Sequence, residues 1–243
     1  MTRFLRTSED PRRRAETEAV RHRHHTGKLL RLRPGIYFPA REWDAMDAFA
    51  RYRVFVDAVF ASTPNAVAGV ETAALLNGLP VLTVPPRVVL RAPTRGFART
   101  LPGRRLGPTG TGPLGFAVQY QALPPSGTRR LWNAHDLPTS IAVPPLAVTA
   151  VECAALLPWV DAVVAVEAAL RRARVLHDDA LMTPLRLGAA LGSYSPTRQR
   201  RAARVLEFAS AEPATALESF DRAVAALHGG RGTRRRTTMP AAS

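Results

Sequence analysis

Apolar and basic residues alternate along the segment KLLRLRPGIYF, residues 28 to 38. Side chains of a β-strand point alternately to its two faces, so the alternation predicts two short strands. Pro34 and Gly35 lie between them and are residue types that a tight turn favours. The segment is therefore predicted to form a β-hairpin.

Residues 12 to 25, RRRAETEAVRHRHH, precede this hairpin and are polar and basic. Gly27 follows them, as glycine often does at the C-terminus of a helix. We expect a short basic helix here. A frayed segment is expected before it, at residues 1 to 10.

Apolar residues between positions 43 and 61 recur at helical spacing before Pro64, which predicts a helix with a buried face. A second helix is predicted at residues 70 to 77. Residues 87 to 91 and 116 to 123 have the character of short strands and flank a loop rich in glycine, proline and arginine. We expect a β layer in this part of the chain.

The last third of the chain is dominated by helix signals. Pro158 is well placed to open a helix whose interior, VVAVEAAL, is apolar nearly all round and is expected to be buried. Ser195 and Pro196 open a further helix. Thr215 and Glu218 have the spacing of a capping box, which predicts a last helix that ends near Gly229.

Composition allows a folded core, because hydrophobic residues make up 46% and charged residues 22% of the 243 residues, which is ordinary globular usage. Cys153 is the only cysteine, which excludes an intramolecular disulfide and a thiolate metal cage and fits a reducing cytoplasm. No apolar run approaches the length of a membrane span. Glu9 and Asp10 argue against a signal peptide.

The charge of the chain is strongly basic, with 34 Lys and Arg against 19 Asp and Glu, a formal net charge of +15. Such an excess attracts polyanions and gives a salt-dependent affinity for phosphate backbones. Lys28 is the only lysine, so a coding bias toward arginine is an alternative explanation. A bias would spread arginines evenly, whereas residues 87 to 131 hold eight arginines and residues 186 to 204 hold five, with no acid in either segment. Clustering favours nucleic-acid contact over a merely solvated surface.

The first 35 residues contain the candidate nucleic-acid-binding residues, with ten basic residues against four acidic ones. Arginine suits this task because its guanidinium group can donate two hydrogen bonds to a phosphate or to guanine. The candidates on the basic helix and on the hairpin are Arg12, Arg13, Arg14, Arg21, Arg23, Lys28, Arg31 and Arg33. The alternative is a solvated, frayed N-terminus.

Two other patterns are interpreted as structural. The three histidines at positions 22, 24 and 25 have no cysteine or carboxylate at ligand spacing, so exposed imidazoles are expected rather than a metal site. Residues 107 to 115, GPTGTGPLG, lack the Gly-Lys-Ser or Gly-Lys-Thr end of a phosphate-binding loop, so a flexible connector between strands is expected. No cofactor is predicted.

Three stretches of the chain, taken in order, carry a resemblance to a known family. They are GKLLRLRPGIYFP at residues 27 to 39, ETAALLNGLP at residues 71 to 80, and a third that extends from LLPWVDAVVAVEAALR through RQRRAARVLEFAS to ALES and Arg222. They are similar, respectively, to the wing-like hairpin, the helix with a Gly-Leu-Pro end and the helical segment of the AbiEi-like family, the antitoxins of type IV toxin-antitoxin systems that are common in actinobacteria.

The resemblance implies a cytoplasmic, non-enzymatic DNA-binding regulator. Its expected partners are operator double-stranded DNA and a nucleotidyltransferase-like toxin encoded nearby. Only 38 residues precede Pro39, so we expect a truncated winged-helix-like segment. The helix that contains ALES lies too close to Ser243 to leave room for the restriction-endonuclease-like domain of longer relatives, so we expect that domain to be absent. The expected fold is α+β, with a basic helix and wing-like hairpin at residues 1 to 40, a mixed helical body with a small β-sheet at 41 to 228, and a disordered basic tail at 229 to 243.

Two other functions stay open. An enzyme descended from the nuclease-linked relatives would need carboxylates around a metal and a nearby lysine, but Lys28 lies far from any acidic cluster. A remnant of such a protein could also act as a protein-interaction module, or be a non-functional truncated product.

Overall fold

The computed structural model describes residues 4–7, 12, 14–63, 65–131, 141–175, 182–212 and 215–229. Its architecture is α+β, as predicted: small sheets lie in the N-terminal and central parts, and helices form the C-terminal part. Arg13 and residues 230 to 243 of the predicted tail lie outside these ranges. None of the helices in these ranges is both long enough and apolar enough to cross a membrane.

The N-terminal part is a helix beside a three-stranded antiparallel sheet of order β1-β3-β2. The predicted hairpin and basic helix are confirmed, and Gly27 and Gly35 both adopt a φ of 74°. The prediction of a frayed N-terminal segment is wrong for residues 4 to 7, because Leu5 pairs with Tyr37 and the buried Phe4 ring contacts Phe38. The elements are β1 (Leu5–Arg6), α1 (Arg14–His25), β2 (Leu29–Arg33) and β3 (Ile36–Pro39).

Two helices replace the single one predicted at residues 43 to 61: α2 (Ala40–Ala45) and α3 (Ala48–Ser62). The break falls at Met46, whose backbone is extended. Asp47 then begins α3, since its carboxylate accepts a hydrogen bond from the backbone N–H of Ala50 at 2.8 Å. The helix α4 (Val70–Leu76) follows close to its predicted position.

The predicted β layer is confirmed as a three-stranded sheet of order β4-β6-β5, formed by β4 (Arg87–Arg91), β5 (Arg99–Leu101) and β6 (Ala117–Gln121). The strands β4 and β6 are parallel, whereas β5 and β6 are antiparallel. A separate antiparallel pair consists of β7 (Arg129–Leu131) and β8 (Ile141–Val143).

The helical part consists of α5 (Leu146–Leu156), α6 (Trp159–Val175), α7 (Pro184–Gly192), α8 (Pro196–Phe208) and α9 (Ala216–Gly229). The interior of α6 is buried from Ala162 to Ala169, as its apolar sequence predicts. Thr215 accepts a hydrogen bond from the backbone N–H of Glu218 at 3.2 Å, as expected of a helix cap. The helix α5 has no counterpart among the predictions.

A buried ion pair ties the β layer to the helices. Glu152 on α5 is fully buried and pairs with Arg91 at the end of β4. Its second oxygen accepts a hydrogen bond at 3.1 Å from the backbone N–H of Val70, a residue with the unusual φ of 45°. Because a β-branched residue rarely adopts a positive φ, this bond helps to hold the start of α4 in a strained conformation.

Candidate nucleic-acid interface

The basic residues of α1 are exposed but do not share one face of the helix. Thr17 and Val20 are buried, and Val20 packs on Leu29 and Tyr37 of the sheet. Arg14 and Arg21 lie seven residues apart and therefore on the same side, whereas Arg23 is about 200° around the axis from Arg21. Arg12, just before the helix, is also exposed.

The hairpin places its basic residues differently along β2. Lys28 and Arg31 are exposed, whereas Arg33 is half-buried and its Nε donates a hydrogen bond to the Ser62 hydroxyl at 3.1 Å. The backbone N–H of Arg31 donates to the carbonyl of Leu106 at 2.7 Å. The outer edge of β2 is therefore covered by a loop from the central β layer.

This loop, residues 102 to 116, joins β5 to β6, so the predicted connection between strands is confirmed. Its flexibility is not, because hydrogen bonds within the loop give it a defined hairpin-like shape. The backbone N–H of Gly115 donates a hydrogen bond to the backbone carbonyl of Arg104 at 2.8 Å, and the backbone N–H of Leu106 donates one to the carbonyl of Pro113 at 3.0 Å. A Cβ atom on Gly103 would lie far inside van der Waals contact with the carbonyl oxygen of Gly115. Glycine is required at position 103 because the two arms approach so closely.

An open cleft of about 530 Å³ lies between β2 and this loop. We call it the arginine cleft, and its basic lining residues are His24, Arg31, Arg33, Arg104 and Arg105. Among the described residues that line it, none is an aspartate or a glutamate. The hairpin candidates Arg31 and Arg33 are thus joined by two arginines from a distant part of the chain.

No carboxylate among the described lining residues neutralises the guanidinium groups of the arginine cleft. Burial lowers the pKa of Arg33; Tyr120 opposes this effect and the nearby Arg104 adds to it. Arg105 donates a hydrogen bond to the carbonyl of Gly112 at 2.9 Å. For Arg31 and Arg104, the described part of the chain supplies no hydrogen-bond partner to the guanidinium group and no carboxylate. Their donors are therefore available to an external anion.

The basic surface continues from the arginine cleft onto α1. A second, smaller cleft is lined by Arg21, His24, His25 and Arg31, so that Arg31 and His24 border both. The Nδ1–H of His24 donates to the carbonyl of Leu29 at 2.9 Å, which fixes the ring between helix and sheet. The Nη1 atom of Arg21 lies 3.9 Å from the Oε2 atom of Glu18. Both side chains are exposed, so this ion pair contributes little to stability.

Two aromatic rings and an arginine extend the site on the other side. The Arg99 guanidinium carbon lies 4.3 Å from the centre of the Phe97 ring and 5.6 Å from that of Tyr120. The two rings meet edge to face at 5.2 Å, and Phe97 is 38% exposed. We call these three residues the aromatic platform. The absence of acidic residues from positions 87 to 131 is the sequence signal that could have indicated both the aromatic platform and the loop at residues 102 to 116, which we call the cleft loop.

Other arginines have structural roles, so the basic clusters of the sequence are not equivalent. Arg91 pairs with the buried Glu152, and Arg222 pairs with the buried Glu167. Arg201 donates to the carbonyl of Leu157. The neighbouring Arg200 and Arg204 are exposed on α8 and belong to neither basic cleft.

Within the described ranges, no group of three His, Cys, Asp or Glu side chains is arranged to hold a metal ion. Cys153 is buried in the helical core, and burial raises the pKa of its thiol. A thiol in this position is a poor nucleophile, because the thiolate is the reactive form.

No protein-family model matches the chain, and no curated protein or solved structure is significantly similar to it.

Proposed function

We propose that this protein is a DNA-binding transcriptional regulator that binds double-stranded operator DNA through its N-terminal basic surface. The observation that carries the proposal is the arginine cleft, which gathers four arginines without a carboxylate among its described lining residues. Keeping like charges together is unfavourable unless an anion neutralises them. A phosphate backbone supplies closely spaced negative charges in the required number.

The surface has the parts that duplex binding needs. Arg31 and Arg33 lie on a β-hairpin, and Arg104 and Arg105 lie beside it, so that these four residues can hold the backbone of a strand. Arg14 and Arg21 share the exposed side of α1, next to the second cleft. Phosphate contacts of this kind position the protein, and contacts of α1 with base edges would supply sequence preference.

The sequence resemblance to AbiEi-like antitoxins supports a specific setting for this activity. In that setting the protein acts in the cytoplasm as an antitoxin of a type IV system and represses the operon that it shares with a nucleotidyltransferase-like toxin. It performs no chemistry of its own. It counters the toxin without needing to contact it.

The test is binding to two duplexes of equal length, one from upstream of the protein's own gene and one scrambled. We expect the upstream duplex to bind at least tenfold more tightly, and we expect Arg31→Ala with Arg33→Ala to weaken binding to both about tenfold or more. The matched control is Arg200→Ala with Arg204→Ala, which removes the same charge from α8. Equal affinity for both duplexes, or equal loss in both variants, would contradict a specific operator surface.

A second candidate function, a protein-interaction module, is favoured by an apolar stripe on α9. Leu217, Phe220 and Leu227 are 68%, 37% and 50% exposed and recur on one side of the helix. Exposed apolar patches of this kind often mark contacts with other proteins. Light scattering after mixing with the protein encoded next to its gene distinguishes the two functions, since a stoichiometric complex without DNA binding would favour this second one.

A further inference from the structure

We propose that the arginine cleft is a pocket for a small ligand with two adjacent phosphate groups and an attached base, that is, a nucleoside diphosphate. Binding of this ligand does not require DNA. A regulatory consequence, which rests on the proposed function, is that the nucleotide and DNA compete for the same guanidinium groups.

The size and lining of the cleft suit a small ligand. Its walls are β2 on one side and the loop that carries Arg104 and Arg105 on the other, and Phe55 and Phe116 line it between them. Its volume of about 530 Å³ falls within the range of roughly 300 to 1,000 Å³ that is typical of small-molecule pockets. A duplex would contact the rim of this cleft, whereas a small ligand can enter it.

The charge of the cleft indicates more than one phosphate group. Four arginines line it, and Arg33 and Arg104 lie near enough to repel each other. A single phosphate monoester carries about −1.5 to −2 near neutral pH, so it would leave much of this charge uncompensated. Two adjacent phosphate groups present enough oxygen acceptors for Arg31 and Arg104, whose guanidinium groups lack partners within the described residues.

The aromatic platform supplies a place for the base. Arg99 and Leu101 are two residues apart on β5, so they project to the same face of the sheet, and Leu101 lines the cleft. The Arg99 guanidinium is already stacked against Phe97 and Tyr120. A stacked guanidinium group and an exposed aromatic ring are both surfaces on which nucleobases stack. The platform therefore lies about 7 Å along the strand from Leu101, which lines the cleft.

Calorimetric titration of the full chain at low salt, without DNA, tests the pocket with ADP, inorganic pyrophosphate and adenosine. We expect one ADP per chain, weaker binding of pyrophosphate, and no binding of adenosine. Arg104→Ala with Arg105→Ala should weaken ADP at least tenfold, whereas Arg200→Ala with Arg204→Ala should change it less than twofold. Phe97→Ala should weaken ADP several-fold and leave pyrophosphate unchanged.

Several results would overturn the proposal: more than one ADP per chain, equal loss in the two arginine pairs, or pyrophosphate binding as tightly as ADP. Adding ADP to a preformed complex with labelled duplex then tests the competition, and we expect release of the duplex. ADP binding by a protein that ignores DNA would refute the proposed function and leave the pocket intact. DNA binding by a protein that ignores ADP would do the reverse.

Discussion

Replacing Glu152 by alanine should be among the most destabilising single changes in this protein. The carboxylate is fully buried, and its partner Arg91 has a side chain that is only 10% exposed. Removing Glu152 leaves a guanidinium group with little access to water, and it also removes the acceptor of the Val70 N–H. Breaking a buried pair from one side costs about 3 to 5 kcal/mol, a large part of the stability of an ordinary domain.

Glu167 provides a matched comparison, because it is equally buried but pairs with Arg222, whose side chain is 40% exposed. After Glu167→Ala the guanidinium group of Arg222 can stay hydrated, so we expect a smaller loss of about 1 to 3 kcal/mol. Urea denaturation followed by circular dichroism gives both values. The double variant Glu152→Ala with Arg91→Ala should recover part of the loss, since no unpaired buried charge remains.

A cost of Glu152→Ala no larger than that of Glu167→Ala would contradict this expectation. So would a further loss of stability when Arg91 is removed from the Glu152→Ala variant. Either result would mean that the burial of the guanidinium group is not what makes the pair costly to break.

Two further predictions concern α3 and the cleft loop. Asp57 is fully buried and lies 3.9 Å from Arg53, and burial, opposed by Arg53, raises its pKa to about 7. The folded state therefore holds this proton more tightly than the unfolded state, whose pKa is about 3.9. The free energy of unfolding should fall by about 3 kcal/mol from pH 4 to pH 7 and level off above about pH 8. Asp57→Asn should remove that component in thermal melts, and an unchanged pH profile would count against it. Gly103→Ala should lower the free energy of unfolding by about 1 to 3 kcal/mol and weaken DNA binding, because the added Cβ atom collides with Gly115. The control is Gly96→Ala, where nothing lies within 4 Å of the added Cβ atom, and it should change neither quantity by a measurable amount.

Local patterns in the sequence were sufficient for the elements that depend on local chemistry. Alternation with a Pro-Gly turn predicts the β2–β3 hairpin, and Gly27 marks the end of α1. The helix α5 escapes such reasoning because its sequence, LAVTAVECAAL, is apolar nearly all round and has no helical periodicity. The strand β1 escapes it because two residues carry no pattern, and the pairing depends on burial of Phe4.

Only the hairpin part of the candidate site could be predicted from the sequence, because the other part depends on contacts between distant residues. Arg31 and Arg33 are identifiable from the hairpin that carries them. Their proximity to Arg104 depends on a backbone hydrogen bond between Arg31 and Leu106, which joins two distant parts of the chain. No local spacing encodes such a contact, although the absence of acids from residues 87 to 131 marks that region as unusual.

If arginines of the cleft neutralise phosphates of bound DNA, the affinity for DNA must fall as the salt concentration rises, and the steepness of the fall reports the number of phosphate contacts. Each phosphate contact contributes a slope of about −0.9 to a plot of log affinity against log salt concentration. Between 50 and 200 mM salt, Arg31→Ala with Arg33→Ala should reduce the steepness by about two units, and Arg200→Ala with Arg204→Ala should leave it unchanged. An equal reduction in both variants, or no duplex binding at 50 mM salt, would contradict this role of the cleft arginines.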